Sequence, residues 1–243
     1  MTPEDAQNLR EQIYFSRDKE CLATLTRIRA LVEEKTSDPE MLRLMATPML
    51  YSVWERVFSL CTSTCLRVIE NEYERAAECP ASARAFWLRK ASFFKSFVSS
   101  VRDLMELERE DSVFQQSSGF KKKINKGAFN LSIEVLSRLD EWHQNPLSHK
   151  SGCEDLVITY SNVNDSVVAT NAEAIGLVAL DAYKSLDLTK LGALVGIRNG
   201  IGHGASLIPP GPRELSELID YSENLVTQYV NITTEWIDFY TEE

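Results

Sequence analysis

The chain has 243 residues, 44% hydrophobic and 26% charged, and its 36 acidic against 26 basic side chains leave a formal net charge of −10. These figures fit a globular protein with a sizeable core and exclude a disordered or fibrous chain. The acidic balance excludes a non-specific coat for nucleic acid, because phosphate contacts need cations, but it leaves room for a local basic site. Only 10 glycines and 8 prolines are available for turns, which favours long helices over many short strands, so the expected fold class is all-α.

No run of apolar residues is long enough to span a bilayer, and Thr2-Pro3-Glu4-Asp5 does not read as a signal peptide. The cysteines are Cys21, Cys61, Cys65, Cys79 and Cys153, an odd and scattered set that reads as reduced thiols in a cytosolic, hence cytoplasmic, protein.

Thr2, Pro3 and Asp5 form a helix start, and a first helix is expected to run to about residue 36 with Leu25, Ile28, Leu31 and Val32 on its apolar face. Ser37-Asp38-Pro39 marks a stop and restart. A second helix is expected over 40–77, its buried stripe formed by Leu50, Val53, Trp54, Val57, Cys61 and Cys65, with Pro48 kinking or breaking it. After Cys79-Pro80 a third helix fits 83–110, with Phe86, Phe93, Phe94 and Phe97 read as core. Residues 111–130 look least regular, 131–142 fit a short helix, and 156–160 a short extended piece. Helices then fit 166–185 and 188–198. Pro209-Pro210-Gly211-Pro212 breaks the chain before a final helix over 213–240, with Leu215, Leu218, Ile219, Leu225, Val226, Tyr229 and Ile232 inward. No repeat recurs at a fixed period, and no clear domain boundary is seen.

Chemistry concentrates in 188–204, LTKLGALVGIRNGIGHG. Leu191, Leu194 and Val195 form an apolar stripe whose next position is Arg198. A guanidinium aimed at a core or an interface needs an anion or a solvent-reaching cleft. Gly200, Gly202 and Gly204 surround His203. On a regular helix Arg198 and His203 would lie about 140° apart, and a glycine-loosened turn would bring them towards one site. A structural histidine and a core arginine paired with a carboxylate would satisfy the same spacing. The string Gly200-Ile201-Gly202-His203-Gly204-Ala205 also satisfies GxGxxA, but a dinucleotide site needs a strand before it and a helix directly after it. Here a helical stripe precedes the string and SLIPPGP succeeds it.

Arg198-Asn199-Gly200-Ile201-Gly202-His203-Gly204 resembles the R-x(4–6)-H signature of the HEPN superfamily, whose first variable position is often Asn. The preceding LxxLVxIRN, the lead-in Ser161-Asn162-Val163-Asn164, the helix around Leu50-Tyr51-Ser52-Val53-Trp54-Glu55 and the long final helix are similar to those of its small bacterial stand-alone members. The resemblance covers 161–240 and, more weakly, 49–60. It leaves 79–153 unexplained, and Gly202 departs from the commoner Ala. It implies one HEPN-like helical domain over 1–243, with 79–160 as an insertion. It also implies metal-independent RNA cleavage in a homodimer cleft, as in toxin–antitoxin and phage-defence effectors. Catalytic roles would fall to Arg198 and His203, with Asn199 and Glu55 in support. An antitoxin or another defence-system protein is the kind of partner implied.

The residue types suit that chemistry. RNA carries its own nucleophile, the 2′-OH. A near-neutral histidine transfers protons, and an arginine clamps the phosphate. Lys121, Lys122, Lys123 and Lys126, beside Phe120 and Phe129, are a candidate RNA grip, though such runs are more often solvated loops. His143 and His149 lack a plausible third ligand, so neither a metal nor any other cofactor is expected. The alternative to a nuclease is a non-catalytic helical module that binds RNA or regulates a partner, which the acidic net charge slightly favours.

Overall fold

The computed structural model describes residues 1–34, 37–110, 118–202, 204 and 208–242, with backbone alone at 104, 106–110, 118–124 and 242. Among the described residues there is no strand. The helices are α1 (Pro3–Phe15), α2 (Ala23–Glu33), α3 (Pro39–Glu72), α4 (Ala81–Leu88), α5 (Ser92–Glu110), α6 (Ser118–His143), α7 (Asp165–Ile175), α8 (Asp181–Lys184), α9 (Leu191–Gly202) and α10 (Pro212–Glu242). The chain divides into two compact units, one made of Met1–Val68 with Cys153–Glu243 and the other of Ile69–Gly152.

In the first unit α1 opens as the sequence indicates. The Thr2 hydroxyl accepts from the Asp5 amide, and the Asp5 carboxylate accepts from the Thr2 amide. The expected single helix to residue 36 is interrupted, because Ser16–Leu22 forms a π-helical segment between α1 and α2. A π turn takes in an extra residue and rotates the rest of the helix about its axis. The buried series Ala6, Leu9, Ile13, Ser16 therefore continues as Cys21, Leu25, Ile28. Near the end of α2, Leu31 lies on the outside, 45% exposed, where the sequence spacing placed it inward with Leu25 and Ile28.

The α3 stripe is buried as expected, with Leu50, Trp54, Cys61 and Cys65 each fully covered. Pro48 lies inside α3 without ending it, and its carbonyl accepts from the Ser52 hydroxyl at 2.9 Å. The α10 stripe is likewise buried. The two helices meet through rings: the Trp54 ring stands edge-on to Tyr229 at 5.4 Å, and Phe58 stacks on Tyr229 at 5.7 Å. Across the bundle, Tyr14 bonds Thr234 at 3.1 Å and Arg10 pairs with Asp238. Arg29 reaches both Asp220, at 2.7 Å, and Glu223, at 3.1 Å.

Further expectations do not hold as stated. The helix expected over 166–185 ends at Ile175, because Gly176 takes φ +87° as a left-handed cap; a 3-10 turn, Leu177–Ala179, and the short α8 come next. The extended piece expected at 156–160 is shorter, since Leu156 ends a 3-10 turn and Tyr160 is left-handed, and it pairs with no strand among the described residues. Instead the fully buried Asn171 side chain does a strand's work: its carbonyl accepts from the Ile158 amide at 3.2 Å and its NH₂ donates to the Ile158 carbonyl at 2.9 Å. In the second unit the expected 83–110 helix is broken after Leu88, where the Lys90 and Ala91 amides both turn back to Trp87. Phe86 is buried, but Phe93, Phe94 and Phe97 are only half-buried; Phe93 and Phe97 line a small open cavity with Leu131 and Val135 of α6. Residues 118–130, expected to be irregular, belong to α6, a 26-residue helix that includes the expected short one. Its glycines each cost about 1 kcal/mol, which packing against α5 offsets.

The five cysteines are free and buried. Burial pushes the Cys61 thiol up to about 12 and the Cys79 thiol up to about 11, so both stay protonated at neutral pH.

Candidate functional site

The site grows from two residues on one turn of α3. Tyr51 and Trp54 are both buried, and both reach the backbone of Val163, more than 100 positions away in the chain. The Val163 amide donates to the Tyr51 hydroxyl oxygen at 2.7 Å, and the Trp54 indole N–H donates to the Val163 carbonyl at 3.1 Å. Val163 is thereby bonded at both ends in a dry environment. One residue later, Asn164 caps α7 by accepting from the Val167 amide at 3.0 Å. One residue earlier, the Asn162 side chain points to Arg198.

Arg198 sits in the last two turns of α9. Leu191, Leu194 and Val195 are buried on the stripe the sequence indicates, and Arg198 comes after them, half-buried. One terminal nitrogen of the guanidinium donates to Asn199 Oδ1 at 2.9 Å and to Asn162 Oδ1 at 3.3 Å. The guanidinium carbon lies 5.0 Å from the centre of the Tyr51 ring, a cation–π stack. Among the described residues no carboxylate pairs with Arg198. Its cradle is neutral, two amide oxygens and a ring face, and among the described residues no ion pair compensates its charge. Burial raises the Tyr51 phenol above its ordinary range, Glu55 pushes the same way, and the Val163 amide and Arg198 pull back. The ring under the guanidinium is therefore a neutral phenol at physiological pH.

Glu55, one turn beyond Tyr51 on α3, is half-buried and makes no ion pair with Arg198 among the described residues. α9 continues without a break through Gly200 to Gly202, so Gly200 does not loosen it; the left-handed turn comes at Gly204, φ +65°. His203 lies outside the described residues. Lys121, Lys122 and Lys123 fall on α6, but their side chains lie outside the described residues; Lys126 is exposed on the same helix of the second unit.

The sequence reading missed Tyr51 and Asn162 as holders of Arg198. The available signal was the Asn162-Val163-Asn164 lead-in, which marks a helix cap but does not say which side chain it faces. The loop before it is also unusual. The Asn162 amide donates to the Thr159 carbonyl at 2.9 Å, closing a turn whose central residues Tyr160 and Ser161 have φ +44° and +72°. That pattern belongs to turns normally built from Asn and Gly. For other residues each left-handed position costs on the order of 1 kcal/mol or more.

A family model described as MAE_28990-like HEPN matches residues 16–243. The chain belongs to this HEPN family. The match takes in residues 79–153, which the motif-based resemblance left unexplained. No curated protein and no solved structure matches the chain. HEPN domains often bind RNA and dimerise, and membership points to a ribonuclease-type or related function. Among the described residues, no helix is long and apolar enough to cross a membrane.

Proposed function

We propose that the protein is a metal-independent endoribonuclease of the HEPN type, a cytoplasmic toxin or anti-phage defence effector held in check by an antitoxin or another defence-system protein. The observation that carries the reading is the Arg198 cradle. A half-buried guanidinium held by two amide oxygens and a ring, with no described carboxylate partner, is an anion site awaiting its anion. In RNA that anion is the scissile phosphate. Arg198 holds a non-bridging oxygen and stabilises the charge that grows there as the 2′-OH attacks. His203, five residues on, takes or gives the proton. Asn199 fixes the guanidinium, and Glu55 orients His203. A single histidine cannot serve as base and acid at once, so two copies of the motif face each other across a two-fold axis. Lys121, Lys122, Lys123 and Lys126 bind the RNA backbone. Residues 79–160 form an insertion in one HEPN-like domain spanning 1–243; most of that stretch falls in the second compact unit, Ile69–Gly152, and its last residues, from Cys153, fall in the first.

The test is cleavage by the purified protein. Labelled RNA should yield a cyclic phosphate on one fragment and a 5′-hydroxyl on the other, in the presence of EDTA, while DNA of the same sequence stays intact. Cleavage that requires Mg²⁺, or that leaves 5′-phosphates, would replace this mechanism.

The dimer is checked separately. Analytical ultracentrifugation at micromolar concentration should give about twice the chain mass of 27.5 kDa. A strict monomer that still cleaves RNA would rule out the shared cleft.

A further inference from the structure

We propose that Tyr160 is a base-stacking platform, placed to hold the nucleotide next to the phosphate at Arg198. The inference rests on the ribonuclease reading above for its ligand, single-stranded RNA, and on separate observations for its place. Tyr160 is 72% exposed, the most exposed of the tyrosines and phenylalanines among the large exposed apolar side chains of the described residues. It sits two residues from Asn162, the side chain that holds Arg198, so their Cα atoms are at most about 7 Å apart.

Its mount is rigid. The turn closes through the Asn162 amide on the Thr159 carbonyl, Val163 is bonded at both ends to Tyr51 and Trp54, and Asn164 is tied into the cap of α7. Within this anchored loop the two positions that favour Gly or Asn hold Tyr160 and Ser161, at φ +44° and +72°. A tyrosine there is conformationally unfavourable, and a ring 72% exposed gains little burial to offset that. Strain of this kind persists where the surroundings impose it, and it clusters at ligand sites. The neighbours define the ligand chemistry. Arg198 supplies the point that takes phosphate, and an exposed aromatic ring one short step away takes a base. A base offers a face to any aromatic ring, so the contact is tolerant of sequence and demands an unpaired nucleotide.

The experiment measures binding of a fluorescein-labelled, 2′-O-methylated oligoadenylate, which the protein cannot cleave, by anisotropy. Tyr160→Ala should bind about 5- to 150-fold more weakly, the range seen when one stacked base loses its ring. Tyr160→Phe should bind like the parent, since the ring and not the hydroxyl makes the contact. Tyr160→Asn, which suits the left-handed backbone, should melt at or above the parent temperature and still lose binding, so a folding defect is distinguished from a lost contact. A series of the same oligomer with one abasic position should show a single position whose removal weakens the parent protein and leaves Tyr160→Ala unaffected. If Tyr160→Ala binds as the parent does while Arg198→Ala loses binding, stacking is wrong and the nuclease reading stands. If neither variant changes binding, or the parent does not bind, both readings fall.

Discussion

His203→Ala is expected to cleave RNA about 10²–10⁴-fold more slowly than the parent protein, and Arg198→Lys about 10²–10³-fold more slowly. The first removes the group proposed to transfer the proton. The second keeps the charge and removes the geometry. In the parent, one guanidinium nitrogen is committed to Asn162 and Asn199, the plane lies over Tyr51, and the remaining N–H groups have no described partner. A planar fork can be clamped along one edge and offer the other to a phosphate. An ammonium has three donors around one point, so it can satisfy the amide oxygens or the phosphate well, but not both. Folding should be unaffected. Arg198 is only half-buried, and the stripe that seats α9, Leu191, Leu194 and Val195, is untouched. Rates on a fluorogenic RNA, read beside thermal melts, check both variants. A well-folded Arg198→Lys protein of parental rate would mean that the guanidinium acts only as a charge, and a well-folded His203→Ala protein of parental rate would remove the motif from the chemistry.

Local rules were readable in the sequence and long-range pairings were not. The Thr2–Asp5 capping box, the α3 stripe from Leu50 to Cys65 and the α10 stripe from Leu215 to Ile232 each depend on residues a few positions apart, and each stands where its spacing placed it. The π segment at Ser16–Leu22 carries no sequence signal of its own, yet it sets the phase between the buried face of α1, Ala6 to Ile13, and that of α2, Leu25 and Ile28. Gly176 was readable as a helix breaker in principle, but an apolar run on both sides hid it. Residues 118–130 look irregular because of the polar run Gln115-Gln116-Ser117-Ser118-Gly119 and the three lysines after it; the helix there depends on packing against α5, which no local pattern reports. The motif arginine was visible from its place on the stripe. Its cradle was not, because Tyr51, Asn162 and Arg198 come from three separate stretches of chain, and nothing local links Tyr51 to Val163.

Trp54→Ala should destabilise the protein by about 3–5 kcal/mol, measured by urea unfolding with the same m-value. The ring is fully buried between Phe58, at 5.8 Å, and Tyr229, at 5.4 Å, so its removal leaves a cavity that close-packed neighbours on two long helices refill poorly. A second cost comes from the polar end. The Trp54 N–H is the described donor to the Val163 carbonyl, and Val163 is fully buried. Without it, an acceptor stays unpaired away from water, at about 1–3 kcal/mol. Trp54→Phe separates the two contributions, since it keeps most of the packing and removes the donor. It should cost about 1–3 kcal/mol and also weaken RNA cleavage. The second effect comes through the chain of contacts: Val163 loses one of its two anchors, Asn162 is its chain neighbour, and Asn162 holds Arg198. A conservative core substitution that touches no substrate would then slow the chemistry through the backbone of the loop. If Trp54→Phe loses stability and keeps full activity, the loop is held by Tyr51 alone and Trp54 is core packing only.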